Sequence, residues 1–357
     1  MFTFQLTGIR LMLKLLPVLA LVLLSGCITV PAAPEIRDLD IGLGHTYRAA
    51  VVAEDLNNPS SVSFRPGTGA LTIADSGNGR VVMIEKGKRV TLIDGFATEY
   101  WKKLPTGDLY KIGPLATHWL DKNNLLIAEG GRADGEDIMA WYSLTNGKPA
   151  LEAESNRIPP GSDDKLDLGE GNYIGLGPDG DNVWVCCHGF DKKSWVARLS
   201  LKEKKLELLL SADDHGIEVN SPMQALAWRG NLLVLYSGAG GNDDNLLVEW
   251  DLKTLKPKHQ WKLEGLTDPM GMAFLPGAKE PTLVVTDNNW DLNKVKSGRL
   301  ALVKLGSNGP QVKIIADKLP GPVNCAFGPD RKLYIACLGP EFDKNKGLVI
   351  AIEGLCK

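Results

Sequence analysis

A supersecondary unit that recurs six times constrains the fold of this chain more than any other feature. Its first copy, LNNPSSVSFRPGTGALTIADSGNGRVVMI at 56–84, contains a Pro corner, a short strand, a Gly/Pro turn and two further strands. The second strands of the copies end at positions 75, 129, 187, 237, 287 and 337, which are 50 to 58 residues apart. One four-stranded propeller blade takes about 40–50 residues, and a single copy could not bury both faces of its sheet.

The sixth copy lacks a fourth strand, and a matching segment lies near the start of the chain. The sixth copy ends with a third strand at 348–352, and no fourth strand follows it. At the other end, RAAVVAEDLNNP at 48–59 parallels QVKIIADKLPGP at 311–322. We therefore expect residues 48–53 to form the outer strand of the last blade, which closes the ring and protects an open sheet edge. The sequence predicts an all-β, six-bladed β-propeller with four-stranded antiparallel blades over residues 47–357.

Residues 1–27 resemble a bacterial lipoprotein signal peptide. Two basic residues precede an apolar run at 15–24 that is too short to span a bilayer, and LSGC at 24–27 is similar to a lipobox. The resemblance implies that Cys27 is lipidated, although a secretory signal with an incidental Cys remains the alternative. Residues 28–46 would then be a tether. Ile28 follows the Cys where an Asp could act as an inner-membrane retention signal, so we expect the lipid anchor to hold the chain on the periplasmic face of the outer membrane. We also expect the protein to be a monomer.

Composition and motifs exclude several classes of function. The net charge of −3 provides no basic field for nucleic acid. The sequence contains no G-x-S-x-G, P-loop or H-E-x-x-H motif.

Cys325 and Cys337 lie on adjacent predicted strands and could pair if the register allows, while small buried thiols are the alternative.

Polar residues cluster on one face of the predicted ring. This top face carries the corners that lead into the first strands and the long loops that follow the second strands, where functional residues usually concentrate. Our candidate ligand-binding residues are Asn58, Asp75, Glu129, His188, Asp287, Asn289 and Trp290. Carboxylate and amide oxygens are the ligands that Ca²⁺ prefers, but the same side chains also stabilise turns by local hydrogen bonds.

Two family resemblances follow from the motifs. The unit with its Pro corner, Gly turn and Ala-Asp-Ser ending resembles the NHL-repeat family, which implies a six-bladed propeller. The segment LGEG at 168–171 is similar to a motif of the SMP-30/gluconolactonase group of Ca²⁺-dependent lactone hydrolases, also six-bladed. That second resemblance implies a Ca²⁺ site formed by Glu170, Asp268 and Asn324, with the last two displaced by a residue or more from the pattern of the group.

These observations leave two functions open. The first is a lipid-anchored envelope propeller that binds a protein, peptide or glycan through its top face. The alternative is a divalent-metal-dependent lactone or ester hydrolase of the SMP-30 type, in which the metal acts as a Lewis acid and a carboxylate as the base. The sequence does not decide between a binding protein and an enzyme.

Overall fold

The computed structural model describes residues 40–356 except 45, 105–106, 134, 146, 159–169, 190–193, 220, 290–296 and 341–343. The strands, numbered along the chain, are β1 (Arg48–Leu56), β2 (Pro59–Phe64), β3 (Leu71–Asp75), β4 (Arg80–Glu85), β5 (Lys88–Asp94), β6 (Glu99–Leu104), β7 (Gly107–Ile112), β8 (Pro114–Trp119), β9 (Asn124–Glu129), β10 (Met139–Thr145), β11 (Lys148–Glu154), β12 (Glu170–Asp179), β13 (Asn182–Gly189), β14 (Ser194–Ser200), β15 (Lys205–Ser211), β16 (Pro222–Trp228), β17 (Asn231–Tyr236), β18 (Leu246–Asp251), β19 (Lys256–Trp261), β20 (Pro269–Phe274), β21 (Thr282–Asp287), β22 (Ser297–Gly306), β23 (Gly309–Pro320), β24 (Pro322–Phe327), β25 (Leu333–Cys337) and β26 (Gly347–Glu353). Two short 3-10 helices span Ser76–Asn78 and Asp213–His215. No helix among the described residues is long and apolar enough to cross a membrane.

Six four-stranded antiparallel sheets form the blades of a propeller. Blades 1 to 5 are β2–β5, β8–β11, β12–β15, β16–β19 and β20–β23, and blade 6 joins β24, β25 and β26 to β1. The first strands of successive blades contact one another around the ring, and β24 contacts β2 to complete it. The prediction of a six-bladed propeller closed by an N-terminal outer strand is confirmed, since β1 pairs with β26 from Arg48 to Leu56.

The core lies between neighbouring blades. Second strands such as β9 (NLLIAE) and β17 (NLLVLY) are buried along almost their whole length. Their runs are continuously apolar because a blade covers each face of the sheet, which removes the usual alternation of apolar and polar residues. Between blades 2 and 3, for example, Leu126 and Met139 belong to the same buried cluster as Val185 and Ala197.

A β-bulge interrupts the first strand of every blade at the same place. In blade 1, Pro59 lies opposite Asp75 and Ser61 opposite Ala74, which leaves Ser60 as an extra residue. The equivalent extra residues in the other five blades are Leu115, Ile174, Met223, Met270 and Val323. Five of the six follow a proline that begins the strand, a position where proline is tolerated because it need not donate to the ladder. Bulges are frequent next to functional sites because they redirect side chains.

The four cysteines on the described strands are buried, and none of them is in a disulfide. The possible pairing of Cys325 with Cys337 is not realised, because Cys325 lies opposite Ile335 while Cys337 lies opposite Pro322. Burial raises the pKa of both thiols.

Candidate functional site in the central cavity

A cavity of about 110 Å³ opens at the centre of the top face. The six bulge residues, one from each blade, line this cavity. The hairpin β6–β7 between blades 1 and 2 adds Tyr110 and Ile112 to the wall. Asn58 donates a hydrogen bond from its side chain to the carbonyl of Lys111 at 3.0 Å, which fixes the end of this hairpin beside the cavity. The repeat therefore creates the cavity, and an insertion between two repeats completes it.

Blade 3 places an imidazole and an amide side by side in the cavity wall. Asn172 on β12 lies directly opposite His188 on β13, and side chains of such cross-strand pairs project from the same face about 5 Å apart. Both residues line the cavity. Asn172 is 5% exposed, and its Oδ1 atom has no hydrogen-bond partner among the residues that the structure describes. This oxygen is itself buried, and it is the Nδ2 group of the same side chain that can donate a hydrogen bond to a ligand in the cavity.

His188 is a neutral base at ordinary pH. Its Nε2 atom lies 3.4 Å from the sulfur of Met223, a weak hydrogen-bonding partner. Burial lowers the pKa of His188 to about 4, because the apolar surroundings disfavour the charged imidazolium. The imidazole is consequently able to accept a proton across the whole range from about pH 5 upward.

Asp268 brings a carboxylate to the cavity from blade 5. It is 2% exposed, and its Oδ1 atom accepts a hydrogen bond from the backbone N–H of Gly241 at 2.9 Å. This bond fixes the loop after β17, which supplies Ser237 and Gly238 to the same wall. Asp268 thus lies beside the cavity, and its role as a metal ligand stays a prediction.

A hydrogen-bond network crosses the channel below the bulge residues. Asn324 of blade 6 accepts the backbone N–H of Val62 in blade 1 at 3.2 Å, and its Nδ2 group lies 3.5 Å from Oε1 of Gln224 in blade 4. Gln224 in turn donates to the carbonyl of Leu176 in blade 3 at 2.7 Å. Four blades are joined across the axis, and the network forms a polar floor for the cavity.

Two predicted site residues stabilise the corners that lead into the first strands of blades 1 and 5. Asp75 is fully buried and accepts the backbone N–H of Asn57 at 2.7 Å and Nε of Arg80 at 2.6 Å. Asp287 is its counterpart in blade 5, with an ion pair to Arg299 at 3.1 Å. Burial raises the pKa of Asp287 despite these partners. The shared geometry indicates that each carboxylate holds the corner leading into its blade.

The remaining predicted residues either line the cavity or lie outside its described lining. His188, Asp268 and Asn324 are brought together in the cavity wall, whereas Glu129 forms an ion pair with Arg132 and is not among the described lining residues. Asn289 also lies outside the described lining, in a left-handed backbone conformation. Cys27, Trp290 and the side chain of Glu170 lie outside the described residues, and every ligand-binding role stays a prediction.

The bulge residues and Tyr110 were missed by the sequence interpretation, which followed polar side chains. Their positions were recoverable for the most part, because in five repeats the residue after the corner proline is the one that enters the cavity. Tyr110 belongs to a segment with no counterpart in the other repeats, so the repeat pattern could not have located it.

The described residues do not fit a calcium site. Among them, no group of three or more His, Cys, Asp or Glu is placed to hold a metal ion. Ca²⁺ takes six to eight oxygen ligands. The described lining contains one carboxylate group, that of Asp268, and the Oδ1 atom of Asn324 already accepts the N–H of Val62. The predicted Ca²⁺ site therefore stays a prediction that depends on Glu170.

Comparison with known proteins shows a likeness of fold to several solved structures. No family model and no curated protein matches the sequence. Among solved structures, an oxidoreductase from Thermus thermophilus described as a glucose dehydrogenase is 16% identical with a TM-score of 0.59, over 86% of this chain and 99% of that one. A gluconolactonase from Xanthomonas campestris is 12% identical with a TM-score of 0.56, over 89% and 94%.

A third structure, the calcium form of a Trichoderma reesei enzyme of carbohydrate-active family AA12, is 10% identical with a TM-score of 0.58, over 91% and 99%. At such identities these likenesses show the fold alone. The chain is a six-bladed propeller with structural neighbours in the gluconolactonase/SMP-30 group, and the NHL-type resemblance stays a prediction.

Proposed function

We propose that this propeller hydrolyses a small lactone or ester in its central cavity. The observation that carries the proposal is the Asn172–His188 pair, a neutral imidazole beside a side-chain amide in the cavity wall. The presence of a gluconolactonase among the structural neighbours supports the same reaction class. Of our two initial hypotheses, these observations favour the hydrolase over the binding protein.

The pair can supply a general base and a hydrogen-bond donor to the oxyanion, the two groups that ester hydrolysis needs here. The imidazole of His188 accepts a proton from water while the water oxygen forms a bond to the carbonyl carbon. The Nδ2 group of Asn172 donates a hydrogen bond to the carbonyl oxygen as negative charge develops there. The imidazolium then returns the proton to the leaving alkoxide, so that a lactone and a water molecule yield one hydroxy acid.

Hydrolysis by defined variants tests this proposal. The purified protein is assayed against lactones and p-nitrophenyl esters, with EDTA and with added Ca²⁺. We expect His188→Gln to lower kcat about 100-fold or more, and Asn172→Ala to lower it about 100-fold as for loss of an oxyanion donor. His118→Gln is the matched control, because burial also lowers the pKa of His118 but this residue is not among the described lining.

Three results would overturn the proposal. Unchanged activity in His188→Gln would remove the imidazole from the reaction. An absence of hydrolysis with and without Ca²⁺ would return the top face to the first hypothesis, that it binds a protein, peptide or glycan. Activity that appears only with Ca²⁺ and is lost in Glu170→Gln would assign the reaction to the predicted metal site instead.

We also propose that the chain is anchored to the membrane through a lipidated Cys27. The lipobox-like LSGC at 24–27 supports this. In a bacterial host, radiolabelled palmitate should be incorporated into the wild-type chain and not into Cys27→Ser. Equal labelling of both proteins would contradict the anchor.

A further inference from the structure

Apolar residues line the whole ring of the cavity wall, whereas most of its polar side chains lie on one arc. On blades 3, 4 and 5 the wall contains the polar side chains of Asn172, His188, Ser237 and Asp268 beside the apolar bulge residues Ile174, Met223 and Met270. On blades 6, 1 and 2, with the hairpin β6–β7, it contains Val323, Leu115, Ile112 and Tyr110, together with Ser60 and Asn324. The cavity is therefore asymmetric in its chemistry even though its six blades share one architecture.

Apart from Tyr110, which carries a hydroxyl on its ring, the second arc has two polar residues, and both are engaged by the protein itself. The hydroxyl of Ser60 donates a hydrogen bond to the carbonyl of Pro114 at 3.1 Å. Asn324 is held in the floor by Val62 and Gln224. The surface that this arc offers to a ligand is consequently formed mainly by hydrocarbon groups, those of Val323, Leu115 and Ile112 and the ring of Tyr110.

The apolar arc is built into the core. Tyr110, Ile112, Leu115 and Val323 are all buried and belong to one hydrophobic cluster. Tyr110 has a backbone φ of 63°, which is uncommon for an aromatic residue and persists only where the surrounding structure holds it. The arc is thus a fixed wall that a ligand must match.

We propose that the substrate is amphipathic, an aliphatic lactone or ester rather than a polyhydroxylated sugar lactone; this inference rests on the proposed function. Its carbonyl lies at the Asn172–His188 pair, and its hydrocarbon tail lies against the arc of Val323, Leu115 and Tyr110. Each buried methylene favours binding roughly fourfold. Each sugar hydroxyl placed against the same arc loses its water without gaining a partner, which disfavours binding roughly 10- to 100-fold.

A series of lactones that differ only in the tail tests the inference. The protein is assayed with γ-butyrolactone, γ-hexalactone, γ-octalactone and glucono-δ-lactone. We expect kcat/KM to rise roughly fourfold per added methylene until the cavity is filled, and glucono-δ-lactone to be the poorest substrate. The corresponding γ-lactams, which resist hydrolysis, are titrated by calorimetry to measure the same selectivity as binding.

A substitution that changes the polarity of the apolar arc but hardly its shape tests where the hydrocarbon tail of the lactone binds. Val323→Thr replaces a methyl group of the apolar arc with a hydroxyl, and it should lower the preference for γ-octalactone over γ-butyrolactone at least threefold. Val349→Thr is the matched control, because Val349 is a buried valine of the same blade and the same cluster but is not among the described lining residues. The control should keep the wild-type preference.

The outcomes separate this inference from the proposed function. Faster hydrolysis of glucono-δ-lactone than of γ-octalactone would refute the amphipathic substrate and leave the hydrolase intact. Tight binding of long-tailed lactams without hydrolysis of any lactone would support the apolar arc and refute the reaction. A protein that neither binds the lactams nor hydrolyses the lactones would refute both.

Discussion

Replacing Asp287 with alanine should destabilise the propeller without acting through a ligand. The carboxylate is fully buried and accepts the backbone N–H groups of Thr267 at 3.1 Å and Asp268 at 2.7 Å, and it pairs with Arg299 at 3.1 Å. Each buried donor left unpaired costs about 1–3 kcal/mol, and removal of one partner from a buried ion pair costs about 3–5 kcal/mol. Because the three contacts share one group, we expect a total loss of about 3–5 kcal/mol.

Asp287→Asn separates the hydrogen bonds from the charge. Burial raises the pKa of Asp287, so the buried charge is itself unfavourable, and the asparagine keeps an oxygen that accepts the two N–H groups. We expect Asn to cost about 1 kcal/mol, the worth of a typical hydrogen bond. For a domain of this size, 1 kcal/mol corresponds to about 2 °C in Tm, so the alanine variant should melt roughly 6–10 °C lower and the asparagine variant about 2 °C lower.

Thermal unfolding followed by circular dichroism measures both shifts. Asp251→Ala is the control, since Asp251 accepts backbone N–H groups in an exposed turn, and its Tm should stay near that of the wild type. Equal Tm values for Asp287→Ala and the wild type would refute the bracing role. If hydrolysis were then lost while Tm was unchanged, Asp287 would belong with the ligand-binding residues after all.

Three further predictions concern the cavity, its floor and the thiols. Hydrolysis should rise about tenfold per pH unit below pH 4 and level off above pH 5, because burial lowers the pKa of His188 to about 4 and the neutral form is the base; a profile centred near pH 6.5 would contradict this. Gln224→Leu leaves a backbone carbonyl and the amide of Asn324 unpaired, so urea unfolding should show a loss of about 1–3 kcal/mol, and an unchanged midpoint would count against the floor network. Iodoacetamide followed by peptide mass spectrometry should label Cys356 but not Cys186 in the folded protein, since burial raises the pKa of Cys186 and denies access to it; labelling of both would contradict the assigned burial.

The architecture could be predicted from the sequence because its causes are local and repeated. Strand-forming residues, corner prolines and Gly turns recur six times, and each copy leaves apolar faces that only another copy can cover. The closure by β1 was predictable for the same reason, since 48–59 repeats the pattern of 311–322. The face that holds the cavity also followed from the long loops, and Asp268 and His188, two of the residues selected on that face, line the cavity.

Only the tertiary structure decided which polar side chains reach that cavity. Asp75, Asp268 and Asp287 all lie at ends of strands on the top face, yet two of them turn inward to backbone N–H groups and one borders the cavity. The difference arises because Asp75 and Asp287 end second strands, where each carboxylate accepts backbone N–H hydrogen bonds from the neighbouring corner, whereas Asp268 lies in such a corner, directly before β20. These contacts depend on how the corners pack on the strands, and the hairpin β6–β7 adds Tyr110 and Ile112 to one side of the wall, so neither could be derived from the repeat.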